Sequence, residues 1–427
     1  MLVNYSGVYM LRALVISIIT FFTVSVYAAR PMVVYYESWS ADTTANDIIE
    51  LPSFVTHLMI SFVKPDAAYQ GNLDLSATGL NLPFSGNTLK EAVKTAKQKN
   101  PSLRVLLAVG GATYHNWESL DADVLAQLII DLELDGIDID YEASAPDGDL
   151  VNKVTQKLRN ALPNNIELTM AVMHVSAYGR DEWSQSQPAG SIWTGFLHKI
   201  VPALNNVNMI NVMSYDAGVN YDVMEAYEAF SFYYNGAIAM GMQVPPEAWG
   251  DHVWTVDKVE TLADQLLKTE MDGFMLWSMH KDNEKVSDTN PNFPSANLLA
   301  TSACNSLSLA DSTICAKPLH TNKNSTLTFR NDSNEDGVYF IINAMPYGYP
   351  STDNLDVNEE DILTGAEIPL TTKALPIFVY AESIGYETAC IDQNTGQPIT
   401  INWAPQNITW RVNFWLDNKG KPVCSAG

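Results

Sequence analysis

The sequence predicts an α/β fold, a (β/α)8 TIM barrel with a smaller C-terminal all-β domain, on the strength of three observations. From Pro31 to about Ser306, short apolar β-rich runs alternate with stretches of helical period, the pattern of parallel strands joined by crossover helices. Beyond Thr326 the period changes to strict alternation punctuated by Gly, Pro and Asn, clearest at Ile408, Trp410, Val412 and Phe414. That change reads as the strands of a separate β domain. A length of 427 residues also suits two domains, because single cores stop growing beyond roughly 250–300 residues.

Taken in order, residues 1–28 read as an export signal. Arg12 precedes an apolar run from Ala13 to Val26, and Val26-Tyr27-Ala28 places small residues at −3 and −1 of a cut after Ala28. Met10 is an alternative start, and an uncleaved anchor is the competing reading of a run near the lower length limit for a span. The barrel is expected over 29–306. Its eight strands are expected at Met32–Tyr36, Phe54–Val63, Leu103–Gly110, Gly136–Tyr141, Ile166–Met173, Val207–Ser214, Gly236–Met242 and Gly273–Ser278. Between them, Leu89, Ala92, Val93 and Ala96 repeat at helical spacing, as do Val259, Leu262, Ala263 and Leu266. A doubly wound open sheet is the alternative, but no GxGxxG turn follows the first strand. Residues 307–325 lack a period and read as a linker, and 326–427 as the all-β domain.

The formal net charge is −25, and removing residues 1–28, with one Arg and no acid, makes it one unit more negative. Such a chain repels nucleic acid and anionic lipid, and is compatible with a neutral polymer. The composition is 47% hydrophobic and 17% charged, which is globular rather than disordered. No membrane contact is expected after signal cleavage. The four cysteines, Cys304, Cys315, Cys390 and Cys424, lack metal-ligand spacing. In an exported chain they suggest two disulfides, most locally Cys304–Cys315 and Cys390–Cys424.

The most informative stretch is Asp135-Gly136-Ile137-Asp138-Ile139-Asp140-Tyr141-Glu142. Side chains alternate along a strand, so Asp138, Asp140 and Glu142 share one face about 7 Å apart, and Ile137, Ile139 and Tyr141 share the other. A barrel interior normally holds branched apolar side chains. Unpaired carboxylates there cost several kcal/mol each, of order, so function is expected to compensate for them. Glu142 falls at the C-terminal end of the strand, where barrel enzymes carry their chemistry, and its acidic neighbours favour the protonated form that a general acid needs. An acidic edge strand and a divalent-cation site remain open on spacing alone. Asp135 has the opposite parity and reads as a residue at the start of the strand.

These residues resemble the DGxDxDxE signature of the chitinase family, glycoside hydrolase family 18. Four further stretches resemble its motifs in the same order: Val34-Tyr35-Tyr36 with Trp39, Ala108-Val109-Gly110-Gly111, Met213-Ser214-Tyr215-Asp216, and Leu276-Trp277-Ser278-Met279. The resemblance covers about residues 31–300. It implies a retaining hydrolase that uses no enzymic nucleophile, an exception to the two-carboxylate scheme. Glu142 would then protonate the glycosidic oxygen while the substrate's 2-acetamido carbonyl attacks the anomeric carbon. By the same resemblance Asp140 orients the acetamide, Asp138 shares a proton with Asp140, Tyr215 donates to the acetamide carbonyl, and Trp277 forms the sugar floor. Tyr35, Met213 and Asp216 are further pocket candidates. Ala108 departs from the pattern, since the family usually has a serine there that bonds the innermost aspartate. Losing that donor is expected to change the proton balance of Asp138 and Asp140.

The resemblance implies a chitinase that binds chitin or another N-acetylglucosamine glycan; with the export signal and the short stretch before the last strand, the expectation is a secreted, periplasmic or cell-surface endo-acting enzyme, a monomer with no cofactor and no metal. Only Gln243 to Asp272 separate the last two strands, so no inserted domain walls the groove. An endo-β-N-acetylglucosaminidase and a non-catalytic chitin-binding lectin are the competing functions. Trp403, Trp410, Trp415, Tyr347 and Tyr349 read first as core and rim of the β domain, and second as a sugar platform. Asp332–Gly337 matches half of a calcium loop and reads as a turn, because position twelve is Asn343. Asn324, Asn331 and Asn407 begin glycosylation sequons. His174 and His280 follow the fifth and eighth strands, and packing is the simpler role for each.

Overall fold

A computed structural model describes residues 30–41, 44–248, 250–281 and 286–320 with their side chains, and beyond them the backbone of eight strands. The first eight strands are β1 (Met32–Glu37), β2 (His57–Val63), β3 (Arg104–Gly110), β4 (Gly136–Asp140), β5 (Glu167–Met173), β6 (Met209–Met213), β7 (Ala237–Gln243) and β8 (Gly273–Trp277). They pair in sequence order, all parallel, and β1 closes on β8 into a barrel. Each lies within three residues of its expected limits. The strands are nearly continuous buried runs, as expected where both faces are covered.

The crossovers contain α1 (Asn46–Ile49), α2 (Gly86–Lys99), α3 (Ala122–Leu132), α4 (Gly148–Ala161), α5 (Val201–Leu204), α6 (Val223–Tyr233), α7 (Val256–Leu266), α8 (Ala296–Ser306) and α9 (Ser312–Cys315). Every helix among them longer than four residues starts at a Ser, Thr or Asp whose side chain accepts a backbone N–H of the first turn. These are Ser85, Asp121, Asp147, Asp222, Thr255 and Ser295. Such a cap contributes typically about 1 kcal/mol and sets where the helix begins. The stripes anticipated from spacing face inward: Leu89, Ala92, Val93 and Ala96 on α2, and Val259, Leu262, Ala263 and Leu266 on α7, are all buried.

Within the segment expected to be a linker, residues 307–320 pack onto the barrel. Leu307 and Leu319 are buried, Asn297 bonds both Leu319 and His320, and the Cys304–Cys315 disulfide ties α8 to α9. Further along the chain come β9 (Thr326–Asn331), β10 (Tyr339–Asn343), β11 (Glu367–Thr371), β12 (Pro376–Ser383), β13 (Tyr386–Asp392), β14 (Thr400–Asn402), β15 (Thr409–Leu416) and β16 (Pro422–Ala426). They form one sheet in the order β10-β12-β13-β16-β15-β9-β11, with β14 beside β12. Cys390 and Cys424 stand opposite each other in the parallel β13–β16 pair. The export segment, the aromatic side chains of this sheet, the sequons at Asn324 and Asn407, the side chain of Asn331 and the turn at 332–337 lie outside the described residues. Among the described residues no helix is long and apolar enough to cross a membrane.

Candidate active site

Strand β4 carries its acids where the alternation places them. Asp138 is fully buried and Asp140 is 3% exposed, while Glu142 stands half-buried just beyond the strand end. Tyr141, on the opposite face, is buried among Trp117, Trp193 and Phe196. Asp135 fastens the beginning of the strand. Its carboxylate accepts the Val105 N–H at 2.8 Å and pairs with Lys97 at 2.6 Å, joining α2, β3 and β4. At the other end of β3, Gly110 has φ +105°, and a Cβ there would meet the Asp140 carbonyl oxygen at 2.2 Å. Glycine is therefore required for this approach of β3 to β4, which the Gly111 N–H completes by donating to the same carbonyl at 2.9 Å.

Asp138 is saturated with donors from three other strands. Tyr35 Oη on β1 donates to Oδ2 at 2.6 Å, and Thr169 Oγ1 on β5 and Asn211 Nδ2 on β6 donate to Oδ1 at 2.5 and 3.0 Å. Ala108 stands directly opposite Asp138 in the β3–β4 register and offers no polar group, whereas Thr169 stands opposite it on the β5 side. The donor absent from β3 is thus supplied from the other flank. Burial raises the Asp138 proton affinity and these three bonds lower it. Asp140 has no such relief: Oδ1 is buried without a hydrogen-bond partner among the described residues. Burial, then the Glu142 and Asp138 charges, push Asp140 well above the usual carboxylate range. Both carboxyls are raised by burial, but the three donors favour the ionised form of Asp138, so the proton affinity is raised further at Asp140.

Burial, and next the Asp216 charge, raise Glu142 to about 7. A carboxyl group that holds its proton up to near-neutral pH and is placed at the strand end is equipped to deliver a proton. Tyr215 is buried with its ring over Gly241, where a Cβ would meet it at 3.0 Å. Its phenol is held neutral by burial and by Asp140, Glu142, Asp216 and Asp138, in that order. Met213 is buried at the end of β6, and Asp216 is partly exposed just past it.

Trp277, at the end of β8, is half-buried and lies in an aromatic group. Its ring meets Tyr35 edge-on at 5.7 Å and stacks on Phe62 at 5.6 Å; Phe62 in turn stacks on Trp39 at 6.0 Å. Trp39 is 44% exposed, so an aromatic stripe runs from the acids to the surface. The eight candidate residues are therefore brought to one end of the barrel, that of the strand C-termini. His174 and His280 are packed against aromatic rings, His174 meeting Tyr221 edge-on at 5.3 Å and His280 meeting Tyr36 at 4.8 Å. Burial first, then His252, lowers His174 to about 4, and His280 pairs with Asp47 at 3.1 Å. Among the described residues no group of three or more His, Cys, Asp or Glu side chains is arranged to hold a metal ion.

Phe62, Thr169, Asn211 and Glu37 were not singled out from the sequence. Glu37 is a buried carboxylate at the end of β1 that accepts hydrogen bonds from Ser278 and, at 2.9 Å, from Ser40. Its parity with Tyr35 was the available signal, since residues 35 and 37 share the interior face of one strand.

A sequence model described as glycosyl hydrolases family 18 matches residues 31–231. A chitinase of Plasmodium falciparum (isolate 3D7) is 23% identical over 315 residues, which are 58% of this chain and 80% of that protein. Among solved structures, a chitinase-like agglutinin from Robinia pseudoacacia aligns at 16% identity with a TM-score of 0.46, covering 64% of this chain and 99% of its own. A fungal endo-β-N-acetylglucosaminidase of glycosyl hydrolase family 18 aligns at 17% identity with a TM-score of 0.43, covering 58% and 89%.

Proposed function

We infer from the match of residues 31–231 to the model of glycosyl hydrolases family 18 that this chain is a glycoside hydrolase that cleaves β-1,4 linkages between N-acetylglucosamine units, as an endo-acting, secreted chitinase. The observation that carries the reading is the pairing of Glu142, raised to about 7, with a buried Asp140 pushed well above the usual carboxylate range, whose Oδ1 has no hydrogen-bond partner among the described residues. A two-carboxylate retaining enzyme needs an ionised nucleophile at the second position. A protonated Asp140 cannot serve as one, but it can bond an acetamide. In the proposed reaction Glu142 protonates the glycosidic oxygen as the substrate's acetamide carbonyl attacks the anomeric carbon. Asp140 and Tyr215 hold the acetamide, Asp138 stays ionised under its three donors, and Trp277 presents an apolar ring to the C–H face of the sugar. Glu142 then takes a proton from the water that opens the oxazolinium ion.

Endo-action is supported by the short β7–β8 connection, which contains α7 and no inserted domain. Export is supported by the apolar run at 13–26 and by the Cys304–Cys315 disulfide, a bond that persists in oxidising compartments. The test is hydrolysis of chitotetraose, beside an N-glycosylated protein, by the wild type and Glu142→Gln. Cleavage of chitotetraose by the wild type alone supports the reading. Trimming of the glycoprotein alone moves the substrate to N-glycan cores, and binding without cleavage of either makes the barrel a lectin.

A further inference from the structure

The loop after β7 contains a buried acid–imidazole pair that the reaction above does not use. The Glu247 side chain is 0% exposed and that of His252 3%, with Oε1 and Nδ1 at 2.5 Å. The second Glu247 oxygen, Oε2, accepts the backbone N–H of Asp216 at 2.5 Å. In return the Ala248 N–H donates to Asp216 Oδ1 at 2.6 Å. The loops after β6 and β7 thus clasp each other through both the main chain and the side chain of Asp216. Asp216 has φ 48°, a left-handed conformation that a non-glycine residue keeps only when its surroundings hold it there.

The backing of this clasp is rigid. His252 meets the Tyr221 ring edge-on at 5.9 Å and the Trp254 ring at 6.1 Å. Trp254 Nε1 donates to the Ser214 carbonyl at 2.8 Å and Tyr221 Oη to Ser214 Oγ at 3.0 Å, two residues before Asp216. Burying a carboxylic acid and an imidazole is costly even when they are hydrogen-bonded, and nothing in barrel closure requires this pair.

We propose that Glu247 and His252 are positioning residues: with the Ala248 N–H they fix the Asp216 carboxylate next to Tyr215 at the C-terminal end of the barrel strands. The proposal rests on the reading of Glu142 as the acid. Besides Asp216, Glu142 faces Asp140 and Tyr215. Glu247 faces Asp216, His252, Tyr221, Lys258 and Lys281, and His174 lies beside His252. A change at residue 247 alone leaves the identity of all these groups unaltered. Releasing Asp216 lets its charge move toward water, and Glu142 then gives up its proton at lower pH.

The test is a carboxyl-carbon NMR titration of the full chain labelled at glutamate Cδ, with Glu142 identified by the loss of its signal in Glu142→Gln. In Glu247→Ala the Glu142 midpoint is expected to fall by about half a unit to one unit. In Glu247→Gln, whose amide oxygen still accepts the Asp216 N–H, it is expected to return to within about 0.3 unit of the wild type. Should Glu247→Ala not fold, Glu247→Asp, which draws the carboxylate back by one methylene, carries the same expectation of a fall. An unmoved midpoint in the folded variant overturns the proposal, because a purely structural loop changes stability and leaves the titration alone. Chitotetraose hydrolysis is followed in the same samples. If the midpoint falls while the wild type cleaves nothing, the clasp stands and the hydrolase reading fails.

Discussion

At Glu142 the account reduces to where a proton resides. The general acid works only while protonated, so activity is expected to be full below about 7 and lost as pH rises through that value. Glu142→Gln is expected to lower kcat by about 10²–10⁴-fold, measured on chitotetraose at pH 6. The same substitution is expected to stabilise the fold at high pH. A raised carboxyl proton affinity means that the charged form is disfavoured in the folded protein. Its cost is absent below the unfolded value and complete above the folded one, on the order of 2 kcal/mol. Urea midpoints are therefore expected to favour Glu142→Gln over the wild type at pH 8 and to converge near pH 4. One strand further round, Thr169 takes the part that Ala108 cannot play. Thr169→Val, which removes one of two donors to Asp138 Oδ1, draws the shared proton from Asp140 toward Asp138. About a tenfold fall in kcat with little change in KM is expected. Ala108→Ser in that background is expected to recover part of it, and no recovery would show that position 108 cannot reach Asp138.

At the level of elements, legibility followed burial. The eight strands could be read because each is an apolar run covered on both faces and bounded by turn or cap residues such as Gly110 and Asp147. The acids of β4 could be read because three carboxylates on one face of such a run have no packing explanation. Thr169 could not: a threonine among Leu168, Met170 and Ala171 is ordinary strand composition, and its partner Asp138 lies 31 residues away. Glu247 and His252 were hidden for a related reason. An acid and a histidine in a loop read as solvated, and only the fold shows both side chains enclosed. The segment after α8 had no period because its order comes from Cys304–Cys315, Asn297 and the buried Leu319 rather than from an amphipathic face. The double change Cys304→Ala, Cys315→Ala is expected to cost about 2–3 kcal/mol by denaturant titration, as a loop of this length closes. It is expected to leave kcat unchanged, since the bond lies outside the group of residues around Glu142.

For the molecule as a whole, the net charge is compatible with a neutral substrate. A formal net charge of −25 gives no attraction toward a neutral chitooligosaccharide. KM for chitotetraose is expected to change less than about twofold between low and high salt, because screening acts on charge pairs that this complex lacks. The central claim is that the substrate's own acetamide does the work of a nucleophile between Glu142 and Asp140. Proton NMR of the products tests it most directly, following the anomeric signals as chitotetraose and its fully deacetylated counterpart are mixed with the enzyme. The account predicts that the β-anomer of the newly formed end appears first and that the deacetylated tetramer is left intact. First appearance of the α-anomer, or cleavage of both tetramers at similar rates, would contradict it.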